Sequence, residues 1–148
     1  MALAIYTSAD PSAVLSQDGD YTQPLLVQAD GRTGGVIERR LYLRNDDPAF
    51  SYSGISMEVF DPNENSLVDG TNGFSWKLIE GDTQPMESAW DNISAGNTVD
   101  FSNELGDGDA SDTATYLPFW VRVDIPRSAS VQNITRLQVR TVATEILV

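Results

Sequence analysis

From Leu117 to Pro126 the chain reads LPFWVRVDIP, and its side chains sort by parity. Phe119, Val121, Val123 and Ile125 fall on one side of an extended backbone, Trp120, Arg122 and Asp124 on the other. Successive side chains of a strand point to opposite faces, so this run can bury its apolar half only as β-structure. Pro126 cannot donate to a ladder and marks the strand's end. No window longer than about ten residues has apolar residues at helical spacing, so the chain reads as all-β.

The same two-residue period recurs elsewhere. Ile37, Arg39, Leu41 and Leu43 share one face of a strand whose other face holds Glu38, Arg40, Tyr42 and Arg44. Asn45, Asp46, Asp47 and Pro48 supply the turn chemistry that ends it. Ile55, Met57 and Val59 then alternate with Ser56, Glu58 and Phe60 until Asp61, Pro62 and Asn63, so the two segments read as consecutive core strands. A third apolar run, Phe74 to Leu78, stops at Glu80, Gly81 and Asp82, and a short strand around Val99 and Phe101 follows the turn signal of Ser94 to Asn97. Leu137, Val139 and Thr141 alternate with Arg136, Gln138 and Arg140, which reads as the hairpin partner of the strand before it. With Pro24 to Ala29 as an early strand the total is about seven, spaced as in a sandwich of two antiparallel sheets. Asp18-Gly19-Asp20 and the glycines at 31, 34 and 35 mark residues 1–22 as an extended N-terminal arm, held by a neighbouring subunit, ahead of a β-sandwich domain over 23–148.

At 148 residues the chain can bury one core without staples. It contains no cysteine and no histidine, which excludes disulfides, thiolate metal sites, Ser-His-Asp triads and imidazole acid-base chemistry. The common nucleophile-base pairs are therefore missing, and the expectation is a protein that is not an enzyme. The net charge of −13 is unevenly spread: −1 over residues 1–44, −14 over 45–113 and +2 over 114–148. Lys77 is the one cation among fifteen carboxylates in the middle block, and all eight arginines lie outside it. Nucleic acid and anionic membranes bind through Lys and Arg, so neither is an expected partner. The first ten residues have no positive n-region and too few apolar side chains for a signal peptide, no stretch approaches membrane-spanning length, and the chain reads as soluble.

Two acidic loops are candidates for a hard cation such as Ca²⁺. Asp61, Asn63 and Asn65 repeat as in the opening of an oxygen-donor calcium loop, but Ser66 stands where its sharp-turn glycine belongs and Asn72 where its bidentate glutamate belongs. Asp107, Asp109 and Asp112 place three carboxylates within six residues, which either a cation or full solvation relieves. Trp76, Trp90 and Trp120 could stack on sugar rings or fill a core, and a sugar-binding adhesion module remains an alternative. The cationic residues carry more information. If the last two long strands form a hairpin, Arg122, Arg136 and Arg140 share one outer face with Trp120 and Gln138, while Arg40 and Arg44 line the outward row of the first long strand. Arg and Trp are enriched where protein surfaces meet. The competing reading is a local ladder in which these arginines pair with Asp124 and Glu58.

The stretches from Leu41 to Asp61 and from Leu117 to Pro126 resemble the small immunoglobulin-like β-sandwich proteins of tailed bacteriophage virions. The resemblance covers residues 24 to 145 and lies in arginine-bearing paired strands, acidic loops, the absence of Cys and His, and a Phe-Trp-Val-Arg-Val strand closed by proline. The disulfide and tryptophan core of antibody domains is missing, so likeness to true immunoglobulins is architectural. Such proteins decorate or cement capsids or build necks and tails. The resemblance implies a structural, non-enzymatic virion component, most simply a capsid decoration protein that contacts the major capsid protein and copies of itself as a homo-oligomer, with Trp120, Arg122, Arg136, Arg140, Arg40 and Arg44 at its contacts.

Overall fold

A computed structural model of the chain describes residues 3–7, 14–15, 25, 32–63, 65–106, 116–127 and 137–148. They form an all-β sandwich of two antiparallel sheets. The strands are β1 (Leu3–Tyr6), β2 (Gly35–Asn45), β3 (Phe50–Phe60), β4 (Ser75–Glu80), β5 (Val99–Asp100), β6 (Tyr116–Ile125) and β7 (Gln138–Leu147). One sheet has the order β1-β2-β6-β4 and the other β5-β3-β7. The early strand expected over Pro24 to Ala29 falls outside the described residues except for Leu25, which packs against the core. Within the segment read as an arm, Leu3–Tyr6 is the edge strand of the four-stranded sheet, with Ile5 and Tyr6 buried.

The alternation sets the core. Leu41 and Leu43 of β2, Leu78 of β4, and Leu117, Phe119, Val121 and Val123 of β6 meet Tyr52, Ile55, Met57 and Val59 of β3, with Val99, Phe101 and Leu105 closing one end. Phe119 stands edge-on to Phe101, with ring centroids 5.9 Å apart. Each fully buried aliphatic or phenyl side chain contributes about 1.5–3 kcal/mol, so this common cluster dominates stability. Arg39 has core parity but lies where β2 outruns the core; it is exposed and its guanidinium donates to the Glu38 carbonyl at 3.1 Å.

Two features of the topology depart from the sequence expectation. β6 and β7 do not form a hairpin: β6 lies between β2 and β4, and β7 pairs with β3 in the other sheet. Alternation assigns faces but names no neighbour, and the twelve residues between Ile125 and Gln138 impose no two-residue turn that would fix adjacency. β2 and β3 are consecutive but belong to different sheets. Asn45 makes the corner between them. Its side-chain amide donates to the Phe50 carbonyl at 2.6 Å and to the Gly106 carbonyl at 2.9 Å, while its oxygen accepts the Asp47 amide at 2.9 Å.

β3 begins five residues before its visible alternation. Its register shifts between Ser53 and Ser56, where Gly54 has φ 57°, and this bulge lets Tyr52 and Ile55, three residues apart, both face the core. A five-residue helix, α1 (Glu87–Asp91), lies between β4 and β5 and buries Trp90. At little more than one turn it is too short to show a 3.6-residue period.

Gly34 enters β2 with φ 68°, and a Cβ there would stand 2.4 Å from the Ile125 carbonyl oxygen. Gly34→Ala is expected to lower unfolding stability by about 1–3 kcal/mol through backbone strain, and Phe119→Ala by about 3–5 kcal/mol through a core cavity. Urea unfolding monitored by tryptophan fluorescence checks both; an unchanged midpoint for either rejects the packing described for it.

Candidate partner-binding surface

Register fixes what shares the outer face of the four-stranded sheet. Arg40 lies opposite Trp120, which lies opposite Ile79; Glu38 lies opposite Arg122, which lies opposite Lys77. Arg44 lies opposite Tyr116. Parity turns Trp120, Arg122, Arg40 and Arg44 outward, and the pairing of β2 with β6 brings them onto one face.

Arg140 does not join them. It sits on β7, on the outer side of the other sheet, where it donates to Glu58 at 2.9 Å and its guanidinium lies 4.4 Å from the Phe60 ring centre. Its separation from Arg122 follows from the pairing of β7 with β3, and the expected common face of Arg122 and Arg140 is corrected accordingly. Arg136 lies outside the described residues. The local ladder is realised in part: Glu58 takes Arg140, whereas Asp124 sits 3.7 Å from Arg122 and accepts the Ser75 hydroxyl at 2.9 Å.

The Arg/Trp face is clasped by the chain itself. At Gly81 the backbone leaves β4, and the segment from Asp82 to Trp90 turns back across the sheet. Asp82 accepts Arg40 through its carboxylate at 3.1 Å and Trp120 Nε1 through its carbonyl at 3.2 Å. Gln84 donates to Glu38 at 3.2 Å, Glu87 accepts Arg122 at 2.8 Å, and Lys77 donates to the Trp90 carbonyl at 3.0 Å. The Arg122 side chain is left 11% exposed and that of Arg40 45% exposed. The hydrogen bond from Arg122 holds the Glu87 carboxyl below the usual glutamate range and raises the guanidinium further.

Beyond the clasp, arginine and tyrosine alternate along β2. The Arg40 guanidinium lies 5.6 Å from the Tyr42 ring centre and that of Arg44 5.7 Å from the ring of Tyr6. Tyr42 meets Tyr116 edge-on at 5.4 Å. Tyr6 donates to Asp46 at 2.7 Å; burial, then this hydrogen bond and the Asp46 charge, push its phenol up to about 12. Sequence reasoning chose the arginines and passed over the tyrosines. The alternation of Arg40, Tyr42 and Arg44 was the available signal.

The other candidates resolve differently. Trp90 is buried beside the sheet and Trp76 packs on the core, whereas Trp120 is half-buried under Asp82. Asp61 is buried and accepts the Asn63 amide at 3.0 Å, the contact of an Asx turn. Asp107, Asp109 and Asp112 lie outside the described residues, and among those described no three carboxylates are placed to hold a metal ion. A cavity of about 270 Å³ opens between Glu80, Asp82, Phe101, Asn103 and Pro118, at the small end of the range for organic ligands.

Because the Glu87 carboxyl is lowered on folding, its contribution is full above the ordinary glutamate range and is lost as pH falls through the lowered value. Amide protection factors across residues 82–91, taken relative to intrinsic exchange, are expected to fall on acidification, and Glu87→Gln to lower the protection already present at neutral pH; protection insensitive to both rejects the clasp. Tyr6 is held neutral by the fold, so its contribution is full below the ordinary phenol range and is lost as pH rises toward 12. Titration of phenolate absorbance should show a late component that is lost in Tyr6→Phe. The chain matches no protein-family model, no curated protein and no solved structure.

Proposed function

We propose that this protein is a non-enzymatic structural component of a virion, a capsid decoration or cement protein that binds the major capsid protein and copies of itself. The reading joins the resemblance of Leu41–Asp61 and Leu117–Pro126 to phage β-sandwich proteins with one feature of the surface. That feature is the row of Arg40 and Arg44 with the partly exposed Tyr116, backed by the buried rings of Tyr42 and Tyr6, and it carries the proposal.

Tyr and Arg are the residue types that most often dominate protein interfaces, because they offer large rigid contact area and planar, directional hydrogen bonding. Tyr116 is 38% exposed, and among the described residues Arg40 is held by an exposed ion pair to Asp82. Such a pair contributes about 0.2–1 kcal/mol, so a carboxylate on a docking shell protein can replace Asp82 at little cost. The contact residues proposed from the geometry are therefore Arg40, Arg44, Tyr116 and Trp120. Arg122 serves beneath them, tying α1 to the sheet, and Arg140 belongs to another face. The mechanism is adhesion: aromatic burial supplies affinity, and Arg-carboxylate pairing sets orientation.

Quantitative mass spectrometry of purified virions should find the protein in a simple ratio to the main shell protein, near one or one third, as symmetric decoration requires. The double variant Arg40→Glu, Tyr116→Ala, folded by circular dichroism, should load at least about tenfold less, a loss of 1.4 kcal/mol or more. Absence from the particle overturns the proposal; normal loading of the variant overturns the face.

A further inference from the structure

We infer that two copies of this chain join edge to edge through β7, extending the three-stranded sheet across a two-fold axis. The inference deepens the self-association included in the proposed function by naming the surface that carries it.

β7 is an outer strand of its sheet, ten residues long, and β3 is its only described neighbour. An exposed edge presents a row of main-chain donors and acceptors, and natural edges are usually blunted by Lys, Pro, bulges or brevity. β7 contains no Lys, Pro or Gly, and its one register shift against β3, between Val142 and Thr144, places the extra residue on β3 and leaves β7 itself without an inserted residue. Its outward row has one charge, Arg140, and that charge is engaged by Glu58 and lies over Phe60. Four large apolar residues here are exposed: Val142 by 56%, Ile146 by 49%, Leu147 by 72% and Val148 by 68%. They are half of the exposed large apolar residues described in the chain.

Charge and symmetry select a second copy as the occupant. Two molecules of net charge −13 repel each other, most strongly where the acidic block is displayed. β7 carries one Arg and one Glu, so it is a neutral strip along which two copies can approach. A basic foreign partner would be drawn to the acidic block instead. The strip is also self-complementary. In an antiparallel pair opposed residues share a face, so pairing about Thr144 places Val142 of each copy against Ile146 of the other, both on the outer face. Main-chain hydrogen bonds then supply affinity, as in other cases of strand addition, and the contact is isologous, as a two-fold demands.

Sedimentation equilibrium of the purified full chain tests this without any virion. The wild type is expected to form dimers, and Val142→Lys with Ile146→Lys to weaken dimerisation at least tenfold. Both side chains are largely exposed, so the variant should keep its far-ultraviolet spectrum. The chain has no cysteine, so Thr144→Cys introduces one thiol at the axis, where opposed Cβ atoms lie about 4.5–5.5 Å apart. Mild oxidation should therefore yield a disulfide-linked dimer even if the lysine variant fails to fold. A wild type that stays monomeric up to millimolar concentration overturns the inference. So does a dimer unaffected by the lysines, or one that Thr144→Cys does not cross-link. None of these outcomes alters the copy number in particles, so self-association and virion membership fail separately.

Discussion

The packing of the β6 inner row against β3 is the contact on which everything else rests. Leu117, Phe119, Val121 and Val123 leave water on one side of one strand and meet Tyr52, Ile55 and Met57 across the sandwich. Burying that row compels the intervening residues outward, so the placement of Trp120 and Arg122 on the opposite face follows from the core rather than from any requirement of function. β2 and β4 add their own outward rows on either side because register on a half-buried sheet cannot slip by one residue without exposing the core. The surface chemistry of the four-stranded sheet is thus a consequence of its interior.

That outer surface is managed internally. The acidic middle of the sequence does not simply face solvent: Asp82 and Glu87 return to the arginines that flank it in the chain, and α1 is laid over Lys77 and Arg122. The polarised charge distribution is thereby partly neutralised within one molecule. Two strengths of contact result. Glu87 grips a largely covered guanidinium, whereas Asp82 grips an exposed one, so the end of the clasp near Arg40 yields more readily than the end near α1.

How much was legible in the sequence depends on which interaction set each feature. The core faces of β2, the later part of β3, and β6 were readable because alternation is written locally, residue by residue. Strand neighbours were not, since Phe119 and Val139 have inward parity whichever strand lies beside them, and a twelve-residue connection leaves the choice open. The first half of β3 was hidden by the bulge at Gly54, which breaks the period at the point where the strand continues. The clasp was hidden because its partners are far apart, 42 residues for Arg40 and Asp82 and 35 for Arg122 and Glu87, and no local pattern couples them. The charge blocks pointed to an attraction between chain segments, but not to which residues would meet.

The edges of the two sheets are finished in different ways. Along β4 the Asn97 side chain imitates a peptide unit, accepting the Leu78 amide and donating to the Leu78 carbonyl, each at 2.9 Å, while the Gly96 amide takes the Trp76 carbonyl. At β1 the Leu15 amide caps the Ile5 carbonyl. β5 offers only two residues. A side-chain amide in a strand's place acts as a terminator, since it occupies the ladder without offering a further row of its own. Among the described residues three margins are stopped or too short to template another chain, which leaves β7 as the one long margin open to strand addition. If two copies pair along β7 as inferred, the described residues offer no second long margin from which a fibre could propagate.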